Sequence, residues 1–315
     1  TDIPLMISVS ASDRSGRTLT GQTVEAFYRS VEHSGMMSFG LNCSLGAEDL
    51  APLVEDLSHW AECAVSCHPN AGLPNEMGAY DQSPETMAAQ VACMASKGLL
   101  NITGGCCGTT PEHIAAIAKA VRGLAPHKRV KKEAILHVSG LEAVEVDRRN
   151  NFTNVGERTN VAGSRKFARL IAAGDYDSAL KIAADQIENG ARIIDINMDD
   201  AMLDSAKEMT AFLRHISSDP AVARAALMID SSHFETVLCG LKNAQGKCIV
   251  NSISLKEGEE AFLRKAREIR ALGAAVVVMA FDEKGQATDY ERKIEISRRS
   301  YELLRKAGFP SSDII

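Results

Sequence analysis

The chain has 315 residues, 45% of them apolar and 24% charged, with a formal net charge of −6 at pH 7. This is ordinary soluble composition, long enough for one large α/β domain or two smaller ones. The acidic balance argues against a nucleic-acid partner or a polybasic membrane surface, and no apolar run approaches the ~20 residues that span a bilayer.

In chain order, short apolar runs alternate with small-polar loops and amphipathic helical stretches. Strands are expected over 5–10, 38–42, 64–67 and 99–103, then over 152–156, 192–197, 226–230, 248–252 and 275–281. Continuous apolar strands alternating with helices, such as those over 111–122, 176–189 and 257–271, are the pattern of parallel βα units. The rhythm breaks over 124–151, which turns basic and then alternates like a small β-hairpin, the reading of an interdomain linker. The opening TDIPLMISVS has no basic segment and no cleavage signature, so no signal peptide is expected. With that, the eight cysteines read as reduced thiols in the cytoplasm, where metal binding outranks cross-linking.

Polar and glycine residues gather at the carboxyl ends of the strands, the face that carries catalytic residues in (β/α)₈ barrels. Four units before the linker and five after it fit neither one barrel nor two complete ones. The expected fold is α/β, with two (β/α)₈ TIM-barrel modules each partly present and joined by the linker. Residues 1–123 form the later half of one, 124–151 the linker, and 152–315 the front of the second. An open doubly wound sheet is the alternative. Residues 314–315 read as the start of a further strand.

GLNC puts Cys43 at one strand end, and GGCCG puts Cys106 and Cys107 at another, two units later. Three thiolates converging with one position open suit a catalytic zinc. Gly104, Gly105 and Gly108 give adjacent cysteines the backbone freedom that sharing an ion requires. Cys63, Cys67, Cys93, Cys239 and Cys248 sit in apolar runs and read as small core residues.

The second half offers Glu157, Asn160, Asp195, Asn197, Asp230, Asn251 and Asp282 at its strand ends, and Gly163, Ser164 and Arg165 in the loop VAGSRKF. Carboxylates accept paired N–H bonds and carboxamides both donate and accept, so such a ring suits a flat heterocycle, with the arginine placed for an anionic tail. Taken singly, Asp195 or Asp230 is equally well a helix cap. Met202, Met209 and Met228 read as core filler.

LNC followed by GGCCG resembles the zinc-dependent homocysteine S-methyltransferase module. GERTNVAGSRKF, DINMDD, MIDSS and NSISLKEGE resemble a pterin-binding module. Their order is similar to that of the cobalamin-dependent methionine synthase family, over nearly the whole chain. The resemblance implies a methyltransferase that passes a methyl group from 5-methyltetrahydrofolate through cobalamin to a zinc-activated homocysteine, giving methionine and tetrahydrofolate. It implies zinc on Cys43, Cys106 and Cys107, folate contacts from Gly163, Ser164, Arg165, Asp230 and Asn251, and Asp195 and Asn197 lining the same pocket. It also implies that cobalamin is held by a module of the parent protein outside this chain, and that the next folate-contacting strand begins just past Ile315. His233 stands where related corrinoid methyltransferases carry asparagine, so that role is not carried over. Two alternatives stay open: a zinc enzyme that uses betaine or S-methylmethionine, and an inactive piece with a structural role.

Overall fold

The computed structural model describes residues 3–131 and 134–315; the linker positions 132 and 133 lie outside the described residues. The chain divides into two compact units, Thr1–Tyr28 with Gly35–Lys132, and Arg29–Ser34 with Glu133–Ile315.

The first unit is built on β1 (Met6–Val9), β2 (Ser38–Gly46), β3 (Ala64–Asn70) and β4 (Ile102–Thr103), a parallel sheet in that order. The helices α1 (Val24–Val31), α2 (Ala47–Trp60), α3 (Pro84–Ser96) and α4 (Pro111–Val121) alternate with the strands. The strand expected over 99–103 shrinks to two residues because the side chain of Asn101 takes over the pairing. Its Oδ1 accepts from the Val65 amide at 2.8 Å and its Nδ2 donates to the His127 carbonyl at 2.9 Å. Gly40 is fixed by packing: a Cβ there would lie 1.9 Å from the Ser66 carbonyl oxygen on the neighbouring strand.

In the second unit a hairpin, β5 (Leu136–Ser139) and β6 (Ala143–Val146), precedes five parallel strands. These are β7 (Val155–Asn160), β8 (Ile193–Asn197), β9 (Ala226–Asp230), β10 (Ile249–Ile253) and β11 (Ala275–Val278), side by side in chain order. Between them run α5 (Arg165–Ala172), α6 (Tyr176–Glu188), α7 (Ser205–Ser218), α8 (Pro220–Ala223), α9 (Phe234–Asn243) and α10 (Glu259–Ala271). After β11 come a two-residue hairpin, β12 (Phe281–Asp282) with β13 (Gly285–Gln286), and α11 (Tyr290–Lys306). Helix starts are capped as their sequences dictate: Ser164, Asp175, Asp204 and Asp289 each accept an amide hydrogen bond from three residues on.

Side-chain alternation divides each strand's residues between two faces. Ile194, Ile196, Ile229 and Val250 pack outward into one core with Phe167, Phe212 and Phe262. Ile193, Ala226, Ile249 and Ala275 point to the other face, where Val138 and Val144 of the β5–β6 hairpin cover them. Two and four residues along from Ile193, that face carries Asp195 and Asn197; Asp230 and Asn251 occupy the matching register. One face therefore runs from aliphatic at the strand starts to polar at the strand ends.

Both sheets are assemblies of parallel βα units, the α/β class expected, and neither closes into a barrel among the described residues. Several elements differ from expectation. The strand expected over 152–156 starts later, at Val155, and Phe152 is 89% exposed. The run 275–281 breaks after Val278, where the Phe281 amide bonds the Met279 carbonyl at 2.8 Å and Asp282 Oδ1 accepts from the Lys284 amide at 2.9 Å. Residues 314–315 contribute one parallel bridge, Ile314 to Val276. Met209 is core, but Met202 sits in the turn before α7 and is 90% exposed, so it fills nothing. Cys93 faces solvent on α3, whereas Cys63, Cys67 and Cys248 are buried as expected.

Candidate functional site

Two clusters of reactive side chains stand at strand ends, one in each unit. In the first unit, β2 bulges between Asn42 and Gly46, and Cys43 and Ser44 adopt left-handed φ values of 62° and 60°. That conformation is rare for residues with a Cβ. The GGCCG loop follows β4 and is tied to the end of β3. The Cys106 amide donates to the Pro69 carbonyl at 2.8 Å, the Ala71 amide to the Cys107 carbonyl at 2.9 Å, and the Cys107 amide to Asn70 Oδ1 at 3.1 Å. Thr109 Oγ1 closes the turn by donating to the Cys106 carbonyl at 2.7 Å.

The three sulfurs meet. Cys43 Sγ lies 3.5 Å from Cys107 Sγ, which lies 4.0 Å from Cys106 Sγ, and all three fall within 4.8 Å of one another. Three thiolates on a tetrahedral zinc with bonds of ~2.3 Å stand about 3.8 Å apart, close to the two separations of 3.5 and 4.0 Å, so the donor set suits such an ion. The Ser44 backbone and then the Cys107 thiol hold Cys43 below its ordinary range, while burial pushes Cys106 up. Cys67, fully buried two residues before Pro69, is pushed up to about 12 by burial and stays a thiol.

In the second unit the polar face of β8, β9 and β10 brings together Asp195, Asn197, Asp230 and Asn251. Asp195 is 2% exposed and Asn197 7%. Asn197 Nδ2 donates to Asp230 Oδ2 at 2.9 Å, and Asn251 Nδ2 reaches Asp195 Oδ1 at 3.5 Å. Among the described residues no lysine or arginine pairs with either aspartate. Burial first, then the Asp230 charge, pushes Asp195 up to about 7; burial also raises Asp230. The exposed Glu157 adds a third negative charge felt by both. Neither aspartate caps a helix: α7 is capped by Asp204, and the N-cap position of α9 is His233. Asp282 is not part of this group, because both its oxygens accept from Arg292 Nη2, at 2.7 and 2.8 Å.

Comparison with known proteins divides the chain in the same places as its chemistry. Residues 1–121 match the family model of homocysteine S-methyltransferase. Residues 156–315, just over half the chain, match the model of pterin binding enzymes. The chain belongs to the pterin binding enzyme family. It carries a homocysteine S-methyltransferase domain ahead of its pterin-binding domain. Among solved structures it is similar to the Yersinia pestis dihydropteroate synthase in complex with a sulfonamide drug. That likeness has 13% identity over 96% of this chain and 94% of the other, with a TM-score of 0.25, too loose to build on.

Within the pterin-binding domain, the loop residues singled out from sequence lie together at the end of β7. The Gly163 amide donates to Asn160 Oδ1 at 2.9 Å, Ser164 Oγ caps α5 by accepting from the Phe167 amide at 3.3 Å, and Arg165 opens that helix with its side chain exposed. One residue that the sequence reading passed over organises the MIDSS turn. Asp199 accepts from Ser231 Oγ at 2.6 Å, from the Ser232 amide at 2.6 Å and from Ser232 Oγ at 2.7 Å. Burial works against its charge, but these bonds outweigh it and hold Asp199 below the usual carboxylate range. Its place inside DINMDD was the available signal. In the first domain Asn70 and Tyr80, both beside the sulfurs, were also missed; neither lies in a recognisable pattern.

Proposed function

We propose that this chain serves methyl transfer from 5-methyltetrahydrofolate to homocysteine in a cobalamin-dependent methionine synthase. Residues 1–123 act as the homocysteine barrel, 124–151 as linker and 152–315 as the folate barrel. Zinc would be held by Cys43, Cys106 and Cys107; when bound, it supplies the charge that deprotonates a substrate thiol at the open fourth position. The observation that carries this reading is the convergence of three sulfurs, from two loops 63 residues apart in sequence, within 4.8 Å of one another. The three cysteines orient that ion by their fixed backbones, and the amides of Cys106 and Cys107 are already satisfied by Pro69 and Asn70, so the loop needs no metal to take shape.

In the second domain Asp230, Asn251, Asp195 and Asn197 would receive the pterin edge, and Gly163, Ser164 and Arg165 would border it. Carboxyl groups without a basic partner favour a ligand that presents N–H donors, as an amino-pyrimidinone does. Asp195, with a pKa of about 7, holds or gives up a proton near neutral pH at Oδ1 or Oδ2, and so either donates to the heterocycle or accepts from it. Cobalamin would come from a separate module, since no segment here resembles one.

The test is zinc stoichiometry by elemental analysis together with methyl transfer from methylcobalamin to homocysteine. One equivalent of zinc in the wild type, lost in Cys106→Ser and Cys107→Ser along with transfer, is the expected result. A full equivalent retained in both variants would refute the site.

A further inference from the structure

The ends of β8 and β9 are tied together by one continuous set of hydrogen bonds. Just past β8, the Asp199 amide donates to Asn197 Oδ1 at 2.8 Å, two residues back. That bond decides how the Asn197 carboxamide sits. With its oxygen held by an N–H, its other end is the amino group, and Nδ2 donates to Asp230 Oδ2 at 2.9 Å. Turning the carboxamide over would set a donor against the Asp199 amide and an oxygen against a carboxylate. Asn197 is itself buried, and Met198, between the two residues, packs in the core.

The Asp199 carboxylate then reaches the residues that follow Asp230. Its Oδ1 accepts from the Ser231 hydroxyl at 2.6 Å, and its Oδ2 from the amide and hydroxyl of Ser232 at 2.6 and 2.7 Å. Ser231 is held on two further sides. Its Oγ accepts from the His233 amide at 3.0 Å, and its own amide donates to the Asn251 carbonyl at 3.2 Å. Asp230 is therefore fixed at its side chain through Asn197 and at its backbone through the serines, and both routes start at Asp199. Its Oδ2 is engaged, whereas among the described residues no donor reaches its Oδ1. These bonds are not a helix cap, because the Ser232 amide lies outside α9, whose N-cap position is His233.

Resting on the folate reading above, we propose that Asp199 is a positioning residue that holds Asp230 with Oδ1 open to an N–H donor of the bound heterocycle. A carboxylate placed in advance accepts such a donor without first losing rotational freedom. Asp199 needs no contact with the ligand to do this, since both its oxygens are taken up by the serines.

Asp199→Asn keeps the shape of the side chain but turns one acceptor into a donor, so at least one of the three bonds is lost. Two measurements on the full chain separate positioning from general support, and from the folate reading. In calorimetry with 5-methyltetrahydrofolate, Asp199→Asn should weaken binding about tenfold. In the Asp230→Asn background the same change should weaken it less than about twofold, because the residue through which Asp199 acts is already altered. Equal factors in both backgrounds would overturn the inference, since a residue that only supports the domain costs the same in each. Unchanged affinity in the single variant would also overturn it. In the ligand-free chain, followed by NMR, the Asn197 side-chain amide protons should exchange with water about fivefold faster in Asp199→Asn, while the backbone amides of β8 stay protected. Unaltered exchange at Asn197 would count against the clamp. A wild type that binds no folate, with that exchange accelerated in the variant, would instead remove the folate reading and leave the hold on Asp230 standing.

Discussion

Asp195→Asn should make the protein more stable at pH 8 and flatten its dependence on pH. Asp195 is 2% exposed, is hydrogen-bonded by the side chains of Asn251, at 3.5 Å, and Asn160, and shares its surroundings with Asp230 and, among the described residues, no basic partner. Its acid is raised from 3.8 to about 7. The native state therefore binds a proton that the unfolded chain has released between those two values. Stability contributed by this group is whole below the unfolded value, falls as pH rises through the interval, and levels off above the folded value. A displacement of about three units at ~1.4 kcal/mol each makes the cost about 4 kcal/mol at pH 8, an upper figure that local relaxation reduces. Asparagine cannot ionise and still offers an oxygen and an amide to Asn251. Urea unfolding at pH 5 to 8, followed by far-ultraviolet dichroism, should show the wild type losing a few kcal/mol relative to the variant across that range. Carbon-detected NMR of the carboxyl group gives the titration directly. A wild type and variant with parallel pH profiles, or a carboxyl midpoint near 4, would refute the reasoning.

Asp230→Asn should weaken methyltetrahydrofolate binding by about 2 kcal/mol in calorimetry, the worth of one charged hydrogen bond; unchanged affinity would refute its place in the site. Asp199→Ala strips three hydrogen bonds from Ser231 and Ser232, and should loosen the turn after Asp230. Amide exchange at Ser232 and His233 should speed up at least tenfold while the amides of β8 stay protected; unchanged exchange would mean that the turn holds itself. Gly40→Ala forces a Cβ to 1.9 Å from the Ser66 carbonyl. It should cost roughly 3 kcal/mol or more by strand displacement, read as a drop in the thermal midpoint, and a midpoint within a degree of wild type would contradict the packing.

What could be read from the sequence was whatever one strand carries by itself. Asp195, Asn197, Asp230 and Asn251 occur at strand ends with the right parity, and β-pairing in register places them on one face whatever surrounds them. Cys43, Cys106 and Cys107 were legible because glycines and a paired cysteine leave little room for a packing role. What escaped depended on contacts between distant segments. Tyr80 looks like any loop tyrosine until Gly108 is seen beneath its ring. Asp199 differs from Asp200 only in which way the turn sends it, toward the serines in one case and into solvent in the other. Met202 misled for a related reason: apolar character implies burial only when another element is there to cover it, and none covers that turn.

The two clusters share a physical signature that folding alone does not account for. A sheet face whose strand starts are aliphatic and covered would be most stable if it stayed aliphatic to its end; instead it changes to Asp195, Asn197, Asp230 and Asn251, with two acids that have no cation beside them among the described residues. In the other unit Cys43 occupies a left-handed backbone position that costs on the order of 1 kcal/mol or more for a residue with a Cβ, and the sulfur it turns outward has two further thiols within 4.8 Å. Each arrangement is unfavourable by itself and, on the function proposed above, would become favourable once a complementary charge or donor arrives: a cation among the sulfurs, an N–H edge among the carboxyls. Strain of this kind is kept where binding relieves it. It follows that ligands should raise stability most under the conditions where the bare site is most strained. For the carboxyl cluster that is above pH 7, where Asp195 is charged, so a folate that brings N–H donors to both aspartates should raise the unfolding midpoint more at pH 8 than at pH 5.5. A larger increment at the lower pH would mean that the acids are already satisfied in the free protein.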